Sequence, residues 1–572
     1  MKSCIFSDLS AITENKEVIK NEISTDCWQM LDYEINGICG KMLVAGEETY
    51  PQPVILDPKL KGWHRIYISM VNIGFVNRLN IKLTSDKTFA SVYTPKESTP
   101  SRWAPYEYAQ EFFWKCANMN SEKIFLRKPC VYAKNGACVS WLRFEEMSEA
   151  EIEEYKAYVN APKFKNAHYH FDGNEHTMEE LNSVNDALIR LSNVENSDAE
   201  ICSLEFTSDY DIEDTTLTVM YASTPKSFEK GDLKFRENKK EYYKEVLSYL
   251  HGMDIKALAA YRMSLARFGL DDIGRIQVGF VGKHPEYYCR TRNGKALNIC
   301  SYAYPEVWDY VISGFKEMLS YGYDGISLIL HRGIMINFEA PVLERFAELY
   351  GNEDPRTLPI RDSRLNGVWC EFMTEFMSKL RREVDSFAGR RVWINIITDF
   401  SPETAKNLGV DIETWAQKGL IDSICQDTME LYEDVADCMC DDCIDIEKYS
   451  AKLKTTEVIR RYHGYDLSKI VNGAKKYFEI AEKYNVKFYG GIFSWHTRPE
   501  AVLENQRALK QIGIDNFSVF NYVHLSVHQP LHHSLAHICH DEINKEYCIV
   551  NNFRVQSIGD MDISLYNPNW RG

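Results

Sequence analysis

Residues 323–333 read YDGISLILHRG, an apolar run that meets His331 and Arg332, with the carboxyl group of Glu339 eight residues beyond the histidine. An apolar segment that ends on polar side chains fits a buried strand whose tip reaches a cavity or solvent. The same ending recurs along the chain. NAHYHFD carries His170 and Asp172, with Glu175 just after; EICSLEFTS carries Glu205 and leads to Asp209; IKALAAYRMS carries Tyr261 and Arg262. VWINIIT runs into Asp399, IDSICQD ends on Gln426 and Asp427, KFYGGIFSW ends on Trp495 before His496, and NFSVFNYVH holds Asn521, Tyr522 and His524.

Two carboxyl groups brought to one place can cleave a glycosidic bond. One protonates the leaving oxygen, and the other attacks the anomeric carbon or activates water. Glu339 lies between Phe338 and Ala340-Pro341, apolar neighbours of the kind that raise a carboxyl pKa, and is the first choice for general acid/base. Its place just before a helical pattern suits a helix cap equally well. Asp427 is the preferred second carboxylate, followed by Asp172 and Asp399; each could instead cap a helix or pair with an arginine. Arg332 reads as a clamp on a substrate hydroxyl or carboxylate, or as half of a structural ion pair. His331 reads as its neighbour in the site, or as a satisfied core histidine. Trp495 suits a ring on which the C–H face of a sugar stacks, or a core tryptophan under the loops. His170, Glu205, Tyr261, His496 and Asn521 complete the expected substrate contacts.

Two clusters resemble metal sites. Cys438, Cys440 and Cys443 form C-x-C-x2-C, with Cys425 and His463 as fourth ligands to consider, but no second C-x2-C knuckle accompanies them. His524, His528, His532, His533, His537 and His540 crowd one stretch, but Pro530 interrupts any helix there. The expectation is no metal and no cofactor.

These residues need elements to position them. Strands are expected to begin near Ala167, Glu200, Ile255, Asp324, Val392, Ile421, Lys487 and Asn516, most followed by a helical pattern. Capping boxes at Ser148/Glu151, Thr177/Glu180 and Thr497/Glu500, and the Ser401-Pro402 start, open helices. From Arg364 to Ser386, Val368, Phe372, Phe376, Leu380 and Val384 recur at every fourth position, and Gly389 follows as a stop. Eight strands alternating with helices indicate a (β/α)8 TIM barrel, an open doubly wound sheet being the competing form. No G-x-G-x-x-G follows the first strand, and no P-loop is present. Before residue 145 the runs are short, β-rich and separated by turns, as in a β-sandwich. The expected division is a β-sandwich over 1–155, the barrel over 156–545, and a C-terminal extension over 546–572 that packs back on the body.

Several stretches carry a resemblance: VSWLRFEEMSEAE; YAYPEVWDYVISGFKEML followed by YDGISLILHRG; FEAPVLERFAELYGNEDPRTLP with the helix ending in REVD; and SLAHICHDEI. Over most of residues 130–545, and most specifically over 338–385, the chain resembles a glycoside-hydrolase-like (β/α)8 family, the family 10-like bacterial glycosyl hydrolases. The resemblance implies a carbohydrate-active barrel and names no substrate. Barrel hydrolases often keep a glutamate at the end of the seventh strand; GGIFSWHTRPE has no acid before Glu500.

The remaining composition narrows the partners. A net charge of −17 without a basic patch argues against nucleic acid. No apolar run reaches membrane-spanning length, and MKSCIFSDLSAITENKEV lacks the apolar core of a secretory leader, so a cytoplasmic location is expected, with the 16 cysteines reduced. The chain is 13% aromatic, with 34 tyrosines and 11 tryptophans, which suits a small carbohydrate partner. Whether copies associate stays open. The expected activity is an exo-acting glycoside hydrolase on a small oligosaccharide or glycoside. The alternatives are a metal-assisted lyase, isomerase or hydrolase on the same barrel, and a carbohydrate-binding barrel without catalysis.

Overall fold

The computed structural model describes the chain apart from residues 1, 21–25, 36, 47–48, 50, 74–75, 94–106, 130–134, 161–163, 172–182, 193, 196, 206–225, 264–278, 331–334, 360–361, 429–465, 494–498, 521–535, 537, 540–553 and 558–572. Eight strands close a barrel: β1 (Ala167–Phe171), β2 (Ala199–Glu205), β3 (Lys256–Arg262), β4 (Gly325–Ile329), β5 (Trp393–Thr398), β6 (Ser423–Gln426), β7 (Lys487–Gly491) and β8 (Phe517–Val519). They run parallel in chain order, and β8 returns to β1 through Ala167↔Phe517, His168↔Ser518 and Tyr169↔Val519. The expected (β/α)8 fold is the observed one.

Parallel strands in such a barrel are covered on both faces, so they read as nearly unbroken apolar runs. The pleat sorts alternate residues into two cores. Tyr169, Leu204, Ala259, Leu328, Ile396 and Phe517 face the helical layer. Ile201, Leu258, Ala260, Ile329, Ile397 and Tyr489 face the barrel axis. Each residue therefore points to one side or the other by parity alone.

Two of the four expected helix starts, Ser148/Glu151 and Ser401-Pro402, are described in full, and both open helices. Ser148 and Glu151 make both halves of a capping box (Ser148 N to Glu151 Oε2 2.8 Å, Glu151 N to Ser148 Oγ 3.3 Å) and open Glu149–Val159. Asp362 accepts from Arg364 N at the start of Ser363–Ala388, which stops at Gly389 in the left-handed region. The Thr177 and Thr497 boxes include residues outside the described set. After β1, the described helical turn is a 3-10 segment, Val184–Leu191, where Asp186 accepts from Ser183 N at 3.1 Å. The stretch between β3 and the helix Pro305–Ser320 holds elements the sequence reading did not anticipate: a short helix, Gly279–Lys283, and a hairpin, Tyr288–Arg290 with Ala296–Cys300.

Ten N-terminal strands and one from the far end of the chain form an eleven-stranded sheet, almost entirely antiparallel. Its largest core, sandwich-like, includes Leu43, Ile68, Leu79, Ile81, Leu126 and Phe144. From the far end of the chain, Arg554–Ser557 pairs antiparallel with Glu107–Asn118 in this sheet. Arg127 meets Asp186 at 3.0 Å, linking the sheet to the segment after β1. Among the described residues, no helix is long and apolar enough to cross a membrane.

Gly473 marks a close approach that positions the top of β5. It lies in the helix Leu467–Tyr484, and a Cβ there would sit 2.1 Å from the carbonyl oxygen of Phe400. Gly473→Ala raises helix propensity by about 1 kcal/mol. The backbone collision outweighs it, and the net effect is a stability loss of roughly 1–3 kcal/mol by urea unfolding. An unchanged or raised midpoint would mean that the helix is not seated against Phe400.

Candidate active site

In this fold the C-terminal ends of the strands build the site. On one wall, four adjacent strands, β8 and β1 to β3, contribute a connected set. The His170 ring, 2% exposed, stacks on Phe520 with centroids 4.2 Å apart and planes 2° apart. Its Nε2 lies 3.2 Å from Glu205 Oε1. Arg262 Nε lies 3.0 Å from both carboxylate oxygens of Glu205. Glu205 therefore faces cationic or hydrogen-bonding partners from the strands on either side of its own.

The other wall carries Asp399 and Asp427, each two residues beyond an axis-facing residue, Ile397 and Cys425. Both aspartates are buried. Thr398 pairs with Gln426 and Asp427 N donates to Thr398 O at 2.8 Å, so the aspartates stand side by side on neighbouring strands. Phe400 N donates to Asp399 Oδ1 at 2.6 Å. Gln426 points outward and binds the tops of β5, β6 and β7 together: its Nε2 donates to Phe400 O and Ile470 O, both at 3.0 Å, and its Oε1 accepts from Gly491 N at 3.2 Å. With eight strands in the ring, β2 and β6 are diametrically opposed. Glu205 and Asp427 thus stand on opposite walls of the mouth.

Below this mouth lies a polar floor. His168 Nε2 is 2.6 Å from Ser203 Oγ, and its Nδ1 is 2.7 Å from Cys425 Sγ. Asn395 continues the chain, donating to Ser327 Oγ and accepting from Ser423 Oγ, both at 2.7 Å. Burial, with His170 and Lys487 nearby, pushes the His168 pKa down to about 3. Burial also lifts the Cys425 thiol well above its usual value. Both groups are neutral, and they act as a hydrogen-bonded base for the site rather than as charges. The sequence reading singled out His170 and passed over His168; the H-x-H spacing, which puts both on one face of a strand, was the available signal.

Two expected residues take other places. Tyr261 lies between Ala260 and Arg262 in the alternation, so it faces the helices and packs edge-on against Phe315 at 6.1 Å. As a substrate contact it is a correction, and the pleat is the reason. Glu339 is fully buried at the N-cap position of Ala340–Tyr350, but its carboxyl does not cap that helix. One oxygen accepts from Arg290 N at 3.0 Å, the other from Asn337 N at 2.8 Å, and the Cys289 thiol adds a third hydrogen bond. Burial raises its pKa, against the pull of those hydrogen bonds. A carboxyl with no exposed surface and both oxygens engaged serves as a clamp between the loop after β4 and the Tyr288–Arg290 hairpin. Asp172, His331, Arg332, Trp495, His496 and Asn521 lie outside the described residues, as do the Cys438–Cys443 and His524–His540 clusters.

Neither a family model nor a curated protein sequence matches the chain. Among solved structures, an α-galactosidase from Thermus thermophilus is 11% identical with a TM-score of 0.33, covering 86% of this chain and 90% of that one. A GH26-CBM35 β-(1,4)-mannanase from Podospora anserina is 8% identical at a TM-score of 0.28, over 95% and 97% of the two chains. An Anoxybacillus α-amylase is 11% identical at 0.29, over 68% and 78%. These neighbours are glycoside hydrolases; the fold assignment rests on the closed ring itself.

Glu339→Ala leaves two backbone N–H groups without their acceptor and lowers stability by on the order of 2–4 kcal/mol in urea unfolding. A loss below about 0.5 kcal/mol would mean that the clamp is not formed. His168 gives a pH signature. Below its ordinary value of 6.5 the unfolded chain takes up a proton that the folded imidazole refuses until about pH 3, so stability falls as pH drops through that window. In a pH series of urea midpoints, His168→Gln flattens this limb by up to roughly 1.4 kcal/mol per pH unit. An unaltered slope would refute the neutral, buried imidazole.

Proposed function

We propose that the barrel is a glycoside hydrolase acting on the end of a small oligosaccharide or glycoside. The observation that carries this reading is the pair of carboxyl groups, Glu205 and Asp427, on opposite walls of one closed mouth. Glycosidic cleavage needs that opposition, with the scissile bond held between the two. Glu205 already accepts from Arg262 and stands beside His170, so it acts as the electron-pair donor, either to the anomeric carbon or to a water. The proton for the leaving oxygen then comes from Asp427, with Asp399 beside it orienting the sugar. His170 and Phe520, buried and stacked on each other, give the same mouth an apolar wall. The low exposure of all three carboxyl groups supports a narrow pocket that takes one chain end.

An aryl-glycoside panel followed by NMR of the released anomer tests the reading. Turnover of at least one glycoside is expected. Glu205→Gln and Asp427→Asn should each lower kcat by about 10²–10⁴-fold. The anomer reports the gap between the carboxyl groups, about 5 Å for retention and about 6.5–9.5 Å for inversion. Parent protein that binds sugars without cleaving any, or variants as fast as the parent, would overturn the assignment.

A further inference from the structure

The described part of the excursion between β3 and Pro305–Ser320, residues 279–304, leads into a helix start and so lies on the C-terminal side of the barrel. It is fastened there beside the mouth. Tyr302 N donates to Met335 O at 2.8 Å, Phe338 N to Arg290 O at 3.2 Å, and Arg290 N to Glu339 as described. From it to Tyr310 of the helix Pro305–Ser320 runs a contiguous set of aromatic rings. Tyr310 stacks on Phe280 with centroids 4.2 Å apart and planes 12° apart. Phe280 meets His284 at 4.6 Å, His284 meets Tyr287 at 5.3 Å and 20°, and Tyr287 meets Tyr304 at 5.3 Å. None of the five is buried. Each is half-buried: Phe280, Tyr287, Tyr304 and Tyr310 pack on the helical-layer core with part of their surface and leave the rest in water.

Polar groups frame the rings. His284 Nδ1 pairs with the exposed Glu286 Oε1 at 2.8 Å, and Glu306 and Lys283 are exposed at the margin. Rings that keep part of their apolar surface in water, flanked by a carboxylate and an imidazole that bind hydroxyls, match the two-sided chemistry of a pyranose.

We propose that the Phe280–His284–Tyr287–Tyr304–Tyr310 file is an accessory binding surface for the distal sugar units of an oligosaccharide whose end occupies the barrel mouth. This rests on the glycoside hydrolase reading above and extends it to substrate length. Units held on the rings contribute to binding only when the chain is long enough to reach them from the mouth.

The test compares the parent, Tyr287→Ala and Tyr287→Phe on linear gluco-, manno-, xylo- and galacto-oligosaccharides of increasing length and on the best aryl glycoside. Removing one ring contact should raise KM about 3–10-fold for the longer substrates. The aryl glycoside and the disaccharides should be unaffected, and Tyr287→Phe should behave as the parent does. Equal KM values for Tyr287→Ala and the parent at every length would overturn the proposal while leaving the hydrolase reading intact. A uniform rise at all lengths would also overturn it, since it would signal damage to the mouth. Tyr287→Ala that changes oligomeric state without changing sugar affinity would assign the file to a second copy of the chain, again against the proposal. A parent that cleaves no sugar would remove the hydrolase reading itself, an outcome visible before any variant is made.

Discussion

Three residues complete the ring. β8 spans only Phe517–Val519, yet it pairs with β7 on one side and β1 on the other. Without it the sheet would have two open edges and no enclosed mouth. Its bonds extend slightly beyond the strand: Phe517 N donates to Asn166 O at 3.0 Å, Gly490 N to Asn516 O at 2.9 Å and Ile492 N to Ser518 O at 2.9 Å. A later segment reinforces the seam. Asp198 N donates to Ala536 O at 2.7 Å, and Cys539 N donates to Asp198 Oδ2 at 3.1 Å, tying Ala536 and Cys539 to the base of β2. Every facing relation at the mouth, including that of β2 with β6, exists only because this short strand closes the circle.

Closure also dictates what the interior contains. A residue facing the axis has no access to bulk water, so each polar group there must find its partner inside the ring. The floor of His168, Ser203, Cys425, Asn395, Ser423 and Ser327 meets this demand by hydrogen bonds between neutral groups. The layer above it uses charge, with Arg262 and Glu205 paired on adjacent strands. At the opposite end of the barrel, Lys487 and Tyr489 both engage Glu200. A charged mouth over a neutral floor keeps ionic chemistry where a substrate can reach it.

The barrel was legible in the sequence because parallel strands buried on both faces leave long apolar runs, and signals such as the Ser401-Pro402 start and the Gly389 stop punctuate the helices between them. All eight expected strand starts fall within two residues of the observed ones. The polar tips of β1, β2, β5 and β6 were legible for the same reason. Glu339 was not, because an apolar neighbourhood signals a buried carboxyl without saying whether it faces a substrate or a backbone N–H. Only the hairpin that folds over it decides that, and a hairpin of two short strands leaves almost no periodic trace. Tyr261 was misplaced although the information was present: counting parity from Arg262 turns it away from the axis.

The strand Arg554–Ser557 has a consequence for how the molecule is made. It covers part of the outer edge of Glu107–Asn118, whose other edge is already paired with Trp63–Ile73. A ribosome delivers the partner only after the whole barrel has emerged, so that edge waits with bare N–H and C=O groups while hundreds of later residues are synthesised. The N-terminal sheet is therefore completed only after the residues of the barrel have been made, and the barrel matures while tethered to an incomplete neighbour.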